Sequence, residues 1–242
     1  AISSSIFFNG SWASPLLTIS RLFYVDIPNP FIMDIGANLG AYTIPIAKDI
    51  QAQNGLIYAY EPQRIIYYQL CGNVFLNRLD NVHPFCEAIS DEEGLLQLPT
   101  IDYGKSNNIG GFSIDESMRD AIPAVETIND RFEPEIPVIK LDNINIPSSP
   151  CLIKLDVEWL ELKVLSGGMK FLEKHGYPPL LLEASAEPAF EQGKNKILEL
   201  LHQMGYEVFS IMNELIAQHP GFHRFIKFSY DKDGSIKMER QR

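Results

Sequence analysis

Short apolar runs recur along the first three quarters of the chain, and each ends at a polar residue or a turn. Runs of this length, separated by segments with helical character, are typical of the buried parallel strands of an α/β protein. Pro84 lacks a backbone N–H, so a strand that contains it is expected at a sheet edge. We predict strands over Phe31–Ile35, Leu56–Tyr60, Val82–Cys86, Cys151–Leu155 and Leu180–Leu182.

The segments between these strands are predicted to be helices, over residues 41–50, 65–76, 158–165 and 194–204. Two late apolar runs, Tyr206–Ile211 and Phe225–Tyr230, are predicted to form a closing antiparallel pair, and Asp233-Gly234 a tight turn. The alternation of strands and helices predicts a doubly wound α/β fold.

Length and segment composition predict one domain over residues 1–242 with one sizeable core. Residues 1–30 form a mixed lead-in segment that we expect to pack on the sheet. Residues 92–136 are rich in turns and interrupt the alternation, as insertions that line an acceptor site commonly do. Because the chain begins at Ala1 rather than Met, it is also compatible with being a module of a longer protein.

The composition and charge of the chain argue against nucleic acid and membranes as partners. The chain is 45% hydrophobic and 21% charged, with a formal net charge of -11. We expect no nucleic-acid partner, because nucleic acid requires a basic face. No apolar stretch reaches the ~20 residues that cross a bilayer, and no signal peptide is recognisable, which predicts a cytoplasmic protein without membrane insertion. Cys71, Cys86 and Cys151 have no metal-like spacing and are expected to be reduced thiols rather than a zinc site.

The turn after the first predicted strand carries the clearest chemical signal. Its two glycines, Gly36 and Gly40, are four residues apart. Asn38 and Ala41 stand where a dinucleotide fingerprint needs its second and third glycines, and no Gly-Lys-Ser/Thr follows Gly36. A turn that admits a nucleoside but lacks the glycines needed for phosphates suits S-adenosylmethionine.

An acid stands at the carboxyl end of each predicted strand. Ligands of open α/β sheets bind at that edge, so the convergence of acids there predicts a binding site. Each acid alone is explained equally well as a solvated strand end or a helix cap. The acids are Asp34, Glu61, Glu87, Asp156 and Glu183.

Two of these positions suit parts of an adenosine. Glu61, after the second strand, can accept hydrogen bonds from both ribose hydroxyls, and its charge disfavours a ribose 2′-phosphate. Glu87 with Ala88 and Ile89 can frame an adenine, with the carboxylate accepting from the exocyclic amine. A loop that turns towards a helix explains this second group equally well.

Lys154 precedes Asp156 by two residues, on the same face of a strand expected to be buried on both sides. Because a buried Lys needs a partner, we predict an ion pair between Lys154 and Asp156 at the pocket floor. Asp156 and Glu158 are also predicted to open the following helix, where the helix dipole stabilises carboxylates.

Four segments, in order, resemble the FkbM-type S-adenosylmethionine-dependent methyltransferases: residues 33–43, 60–62, 88–91 and 153–168. The last is the most distinctive, although family members usually carry glycine where this chain has Trp159. The resemblance implies a class I methyltransferase fold, a mostly parallel, doubly wound sheet of seven strands whose last strand is antiparallel. It implies S-adenosyl-L-methionine as cofactor and S-adenosyl-L-homocysteine as product. The matching positions expected to bind the cofactor are Asp34, Gly36, Ala37, Asn38, Gly40, Tyr42, Thr43, Glu61, Pro62, Glu87, Ala88, Ile89 and Asp156.

The resemblance further implies methyl transfer to a hydroxyl oxygen of a carbohydrate, glycan or similar polyhydroxylated small molecule. An alcohol is a weak nucleophile at neutral pH, so a base should assist. Asp156 is the first candidate for this base and Glu183 the second, with Glu158 as an orienting partner. Lys154 could steady Asp156, although an ion pair also lowers the basicity of a carboxylate.

Three alternatives remain open at this point. Asp156, Glu158 and Glu183 could bind a divalent metal through oxygen ligands, which we do not favour because neighbouring carboxylates are necessary but not sufficient for such a site. An NAD-dependent oxidoreductase would share the fold but needs the missing glycines. A non-catalytic S-adenosylmethionine-binding module is hinted at by Trp159, which we expect to pack in the core rather than over the acceptor pocket.

Overall fold

The computed structural model describes residues 2–9, 12, 14–102, 104–105, 112–114, 127–183, 191–211 and 213–241. Its helices are α1 (Ile2–Asn9), α2 (Ser14–Tyr24), α3 (Thr43–Gln51), α4 (Arg64–Leu76), α5 (Glu161–Ser166), α6 (Met169–Lys174) and α7 (Glu191–Gln203). Its first strands are β1 (Phe31–Ile35), β2 (Leu56–Tyr60), β3 (Val82–Phe85), β4 (Ala88–Ser90), β5 (Gly94–Leu96), β6 (Pro99–Ile101) and β7 (Thr127–Phe132). The remaining strands are β8 (Ile136–Lys140), β9 (Leu152–Leu155), β10 (Leu180–Glu183), β11 (Glu207–Ile211), β12 (Glu214–Gln218), β13 (Phe225–Tyr230) and β14 (Ile236–Gln241).

The centre of the molecule is a seven-stranded sheet in the order β11-β12-β10-β9-β1-β2-β3. Strands β10, β9, β1, β2 and β3 run parallel to one another, and β12 runs antiparallel to both β10 and β11. This order confirms the predicted mostly parallel sheet with an antiparallel last strand. Strand β3 lies at the edge, where Pro84 leaves no ladder hydrogen bond unmade.

Helices cover both faces of this sheet, which is why its central strands are continuous apolar runs. On one face, apolar side chains of α2, α3 and α4, such as Phe23, Ile46 and Leu70, form one buried cluster with the sheet. On the other face, α5, α6 and α7 contribute a second cluster that includes Val164 and Leu201. The two clusters make the sheet the middle layer of a doubly wound fold.

The predicted closing strand pair is wrong. The partner of β11 is β12, and the run Phe225–Tyr230 pairs instead with Ile236–Gln241 in a separate two-stranded hairpin. Gly234, at a φ of 82°, lies in the tight turn of that hairpin, as predicted. The sequence analysis missed β12 because it is five residues long and has polar residues at both ends.

The segment between β3 and β9 departs from the alternation. Strand β8 lies between β4 and β5 in a small sheet, and β6 pairs with β7. A third buried cluster, which includes Ala88, Ile101 and Phe112, joins these strands to the described part of the insertion predicted over residues 92–136. Residues 103, 106–111 and 115–126 of that insertion lie outside the described residues.

No helix within the described ranges is both long enough and apolar enough to traverse a lipid bilayer.

Candidate active site

A cavity of about 790 Å³ opens at the carboxyl edge of the central sheet. The four predicted catalytic residues, Lys154, Asp156, Glu158 and Glu183, all line it. So do all of the predicted cofactor residues except Asp34, Gly40 and Thr43, which lie behind the wall. The tertiary structure therefore brings together acids that are far apart in sequence.

The turn after β1 forms one wall of the cavity. The N–H groups of Gly36 and Ala37 donate to the carbonyl oxygen of Tyr60, at 3.0 and 2.9 Å. Gly36 has a φ of 84°, and a Cβ built on it would overlap the carbonyl oxygen of Asp156. A side chain at this position is therefore excluded both by the backbone conformation and by the strand next to it.

Glu61 closes the same wall from the end of β2. Its carboxylate accepts hydrogen bonds from the N–H of Asn38 at 2.9 Å and from the N–H of Gln63 at 2.8 Å. Burial raises the pKa of Glu61 to about 7, although these two hydrogen bonds act in the opposite direction. The carboxylate thus ties the Gly36 turn to the second strand as well as facing the cavity.

Asp34 does not line the cavity and instead lies buried behind its wall. Its side chain is fully buried, accepts a hydrogen bond from the hydroxyl of Thr43, and lies 3.3 Å from the Nζ of Lys154. Gly40 packs against the side chains of Leu70 and Ile44. Through these contacts Asp34, Gly40 and Thr43 support the turn without reaching the cavity.

The predicted ion pair is present. The Nζ of Lys154 lies 3.0 Å from Oδ2 of Asp156, and the lysine side chain is 5% exposed. The same Nζ contacts Oδ1 of Asp34 and the carbonyl oxygen of Gly36, each at 3.3 Å. Burial would lower the pKa of Lys154, but Asp156 and Asp34 outweigh it and raise the pKa well above its ordinary value. Lys154 therefore stays charged and is shared between two aspartates.

Three further carboxyl groups surround Asp156. Burial, and then the neighbouring Asp156, raise the pKa of Glu183 to about 9 and that of Glu158 to about 8. Oxygen atoms of Asp156, Glu158 and Glu183 lie within 4.8 Å of one another, so the group could hold a cation. The third of these carboxyl groups belongs to Glu214 on β12. Glu214 lines the cavity, and burial and then Asp156 raise its pKa to about 8.

The sequence analysis did not identify Glu214. No motif surrounds it, and its strand was not predicted. The signal that would have found it is the pairing of β12 with β10, which places Glu214 directly opposite Glu183. That pairing is a property of the tertiary structure.

The predicted helix start at Glu158 is also wrong. Glu158 and Trp159 have φ values of 52° and 71°, and α5 begins only at Glu161. The buried carboxylate of Glu161 accepts a hydrogen bond from the N–H of Val157 at 3.0 Å and another from the N–H of Trp159. Glu161, which no motif singled out, thus shapes the loop that carries Asp156 and Glu158.

Trp159 neither packs in the core nor lines the cavity. Its side chain is half-buried and lies outside the three apolar clusters formed by the described residues. The cavity is lined by its neighbours Glu158 and Leu160 instead. Its φ of 71° is a conformation that glycine adopts without strain, which gives a physical reason for the glycine expected there.

A doubly wound sheet with a glycine turn on its first strand, an acid on its second and one cavity between them is the architecture of a nucleoside-binding α/β enzyme. The chain belongs to the methyltransferase FkbM domain family, whose model matches residues 34–208. Family membership confirms the resemblance on which S-adenosylmethionine was expected as cofactor, and it gives no support to the NAD-dependent alternative.

Individual relatives are more distant. A tRNA(Phe) (4-demethylwyosine(37)-C(7)) aminocarboxypropyltransferase from Methanocaldococcus jannaschii is 36% identical over 73 residues, 30% of this chain and 28% of that protein. A methyltransferase FkbM structure from Methylobacillus flagellatus matches with a TM-score of 0.49 at 18% identity, over 79% of this chain and 44% of that one. An S-adenosylmethionine-dependent O-methyltransferase from Thermotoga maritima matches with a TM-score of 0.46 at 13% identity, over 100% of this chain and 65% of that one. The chain thus spans less than half the length of the first two proteins.

Proposed function

We propose that this protein is an O-methyltransferase that moves the methyl group of S-adenosylmethionine to a hydroxyl of a carbohydrate or similar polyhydroxylated acceptor. The observation that carries the proposal is that one cavity joins the Gly36 turn and Glu61 to the carboxyl groups of Asp156, Glu158 and Glu183. The first group suits an adenosine, and the second suits a hydroxyl that must lose its proton.

The donor site would be formed by residues of β1, β2 and β4. Glu61 would accept hydrogen bonds from the ribose hydroxyls, because it lines the cavity and each of its carboxylate oxygens has a second lone pair beyond the one used by a backbone N–H. Ala88 and Ile89 would cover the adenine, and Glu87 would accept from its amine. The methyl group supplied by the cofactor is already activated, so the protein mainly has to align the acceptor oxygen with the methyl carbon and exclude water.

Asp156 is the proposed base. As the oxygen–methyl bond forms and the sulfur–methyl bond breaks, the bonding pair stays on sulfur and the hydroxyl proton passes to Asp156. Lys154, whose Nζ lies 3.0 Å from Oδ2 of Asp156, holds this carboxylate in place. Glu158 and Glu183 would orient the acceptor beside it.

A metal ion is not part of this proposal. Lys154 already places a positive charge against Asp156, and a divalent ion bound by Asp156, Glu158 and Glu183 would lie close to that charge. We expect turnover to be unchanged after dialysis against a chelator. Loss of turnover on dialysis that is restored by Mg²⁺ would replace the proposed base by metal-assisted catalysis.

The domain organisation and location complete the proposal. Ile2 and Trp12 of the lead-in segment, and Phe112 and Ile114 of the insertion over residues 92–136, line the cavity and support an acceptor wall built from those two segments. We treat the chain as a single domain over residues 1–242, which could serve as a module of a longer protein, and propose a cytoplasmic location for it.

Calorimetry followed by an acceptor screen tests the function. We expect S-adenosylmethionine and S-adenosylhomocysteine to bind and NAD not to bind. The screen would incubate the protein with isotope-labelled S-adenosylmethionine and either neutral glycosides, small alcohols or bulk tRNA, and mass spectrometry would locate the label. Label on glycoside oxygen supports the proposal, and label on tRNA alone contradicts it. Donor binding without transfer to any acceptor would favour the non-catalytic module.

The tRNA arm is needed because of the relative from M. jannaschii. That match covers 30% of this chain, and a net charge of -11 disfavours a polyanionic acceptor. The expected result of the arm is therefore no label on tRNA.

A further inference from the structure

The polar groups of the cavity lie in a row along the carboxyl edge of the sheet, in the order of the strands. Successive strands in the order β3, β2, β1, β9, β10 and β12 present Glu87, Glu61, Gly36, Asp156, Glu183 and Glu214. Neighbouring strands are ~4.8 Å apart, so the strand that carries Glu214 lies roughly 19 Å from the strand that carries Glu61. The adenosine end and the Glu214 end are thus opposite ends of one cavity.

Glu214 lies beyond the expected reach of the reacting centre. The sulfur of S-adenosylmethionine is bonded directly to the 5′ carbon of its ribose, and Glu61 is the proposed ribose ligand. Three strands, β1, β9 and β10, separate the strand before Glu61 from the strand that carries Glu214. This position places Glu214 on the acceptor side of Asp156 rather than on the donor side.

Glu214 and Glu183 face each other across the antiparallel pair of β10 and β12. They are register partners, so their side chains emerge on the same side of the sheet, with Cβ atoms ~5 Å apart. Both are mostly buried and both line the cavity. Ionising both carboxyl groups would place like charges directly opposite each other across the strands, so this arrangement favours a protonated carboxyl group beside a carboxylate.

The charge of the cavity limits what that ligand can be. Among the described residues that line it, Lys154 is the one cation, and Asp34 and Asp156 already engage it. Beside Glu183 and Glu214, a phosphate or carboxylate would find no cationic partner, and its charge would further oppose ionisation of either carboxyl group. A hydroxyl can donate to a carboxylate and accept from a protonated carboxyl, so two adjacent hydroxyls match two adjacent carboxyl groups.

We propose that Glu214, together with Glu183, determines acceptor specificity by binding two neighbouring hydroxyl groups of an uncharged acceptor. The proposal rests on the proposed function for the location of the donor. It assigns Glu214, which lies outside the segment matched by the family model at residues 34–208, to the acceptor half of the site. Glu214 is a binding residue here, while Asp156 keeps the role of base.

Binding in the product complex tests the assignment without requiring turnover. The protein saturated with S-adenosylhomocysteine would be mixed with the methyl α-glycosides of glucose, galactose, mannose and rhamnose, and separately with glucose 6-phosphate. Saturation-transfer NMR would measure binding. We expect at least one neutral glycoside to bind and glucose 6-phosphate not to bind. Binding of the phosphate alone, or of neither class, overturns the proposal.

Substitutions at Glu214 supply the second arm. Glu214→Ala should weaken glycoside binding by about tenfold, as expected when hydrogen bonds to a buried carboxyl group are lost. Glu214→Gln should fold as well as the parent, because glutamine has nearly the same size and removes an ionisable group beside Glu183, and it should retain part of the binding. Glu207→Ala and Glu207→Gln, exposed on the adjacent strand β11, are the matched controls and should bind as the parent does.

Calorimetry separates this inference from the proposed function. Both Glu214 variants should bind S-adenosylhomocysteine within about twofold of the parent, and a tenfold loss would instead assign Glu214 to the donor and overturn the proposal. If the parent binds a glycoside but transfers no methyl group to it, the proposed function fails while the assignment of Glu214 stands. Unchanged glycoside binding by Glu214→Ala overturns the assignment alone.

Discussion

Gly36 lies directly against the backbone of Asp156. A Cβ on Gly36 would overlap the carbonyl oxygen of Asp156, while the N–H of Asp156 donates to the carbonyl oxygen of Ile35 at 3.0 Å. The turn that forms the proposed donor wall and the residue proposed as the base are therefore in contact through their backbones. The distance between donor and base depends on the absence of a side chain at residue 36.

Gly36→Ala should consequently impair both folding and donor binding. The added methyl group must displace the Asp156 backbone. The alanine must also adopt a φ of 84°, which costs a non-glycine residue about 1 kcal/mol or more. We expect calorimetry to show at least a tenfold loss of affinity for S-adenosylmethionine. Gly72→Ala is the control, because a Cβ there meets nothing within 4 Å, and it should bind normally. Normal binding by Gly36→Ala would show that the turn moves freely.

Removal of the buried ammonium of Lys154 should destabilise the fold. Lys154→Met leaves Asp34, which is fully buried, without its cationic partner, and breaking a buried ion pair in this way costs about 3–5 kcal/mol. Urea denaturation should show this loss, while the exposed control Lys170→Met should lose little. Adding Asp34→Asn to Lys154→Met should recover part of the stability. No recovery would mean that Asp34 is not the main group that needs the lysine.

Stability of the free protein should fall as the pH rises from about 5 to 9. Burial raises the pKa of Glu61 and Glu161 to about 7, of Glu158 and Glu214 to about 8 and of Glu183 to about 9. Between the ordinary pKa of a glutamate and these values the folded chain binds more protons than the unfolded chain, so raising the pH favours unfolding. One pKa unit on one group corresponds to about 1.4 kcal/mol, and because solvent screens the partly exposed groups we expect a loss of at least about 3 kcal/mol.

The variant that tests this pH dependence is the double substitution Glu183→Gln with Glu214→Gln. It should flatten the fall in unfolding free energy between pH 5.5 and 8.5, measured by urea denaturation, because two of the responsible groups no longer titrate. Glu207→Gln, on the exposed face of β11, should leave the fall unchanged. A parent protein that is more stable at pH 8.5 than at pH 5.5 would contradict the assignment.

Two substitutions at Trp159 separate backbone strain from side-chain packing. Trp159→Gly and Trp159→Ala both remove the indole, but only glycine adopts a φ of 71° without cost. We expect the glycine variant to be more stable than the alanine variant by about 1 kcal/mol in urea denaturation. Both should bind S-adenosylmethionine as the parent does, because Trp159 does not line the cavity. Weakened donor binding by both variants would give the indole a role in the site.

The residues proposed for the donor half of the site come from local sequence patterns. Strands β1 and β2 are continuous apolar runs that end in a glycine turn and an acid, and both features are local. The ion pair between Lys154 and Asp156 was predictable for the same reason, since residues two apart in a buried strand share a face. Sequence could not show that Lys154 also donates a hydrogen bond to Asp34, because that contact joins neighbouring strands whose residues are 120 positions apart.

The acceptor half depends on pairings that no local pattern encodes. Strand β12 is short and its position between β10 and β11 follows from burial of its apolar residues, not from a turn signal. The loop at Glu158 and Trp159 likewise replaced a predicted helical turn because Glu161 binds the backbone of that loop. Helix propensity is a weak preference, and such tertiary contacts override it.

By itself, the sequence determined the class of the protein and the donor chemistry, because a glycine turn, its strand and the acid after the next strand are specified by short segments. Only the tertiary structure decided which ionisable groups are neighbours. Asp34 contacts Lys154 from behind the cavity wall, and Glu183 lies opposite Glu214 at the far end of the cavity. Electrostatic interactions depend on distance in space and on burial, and both are created only when strands distant in sequence pair. The acceptor end is therefore defined by sheet order rather than by any motif.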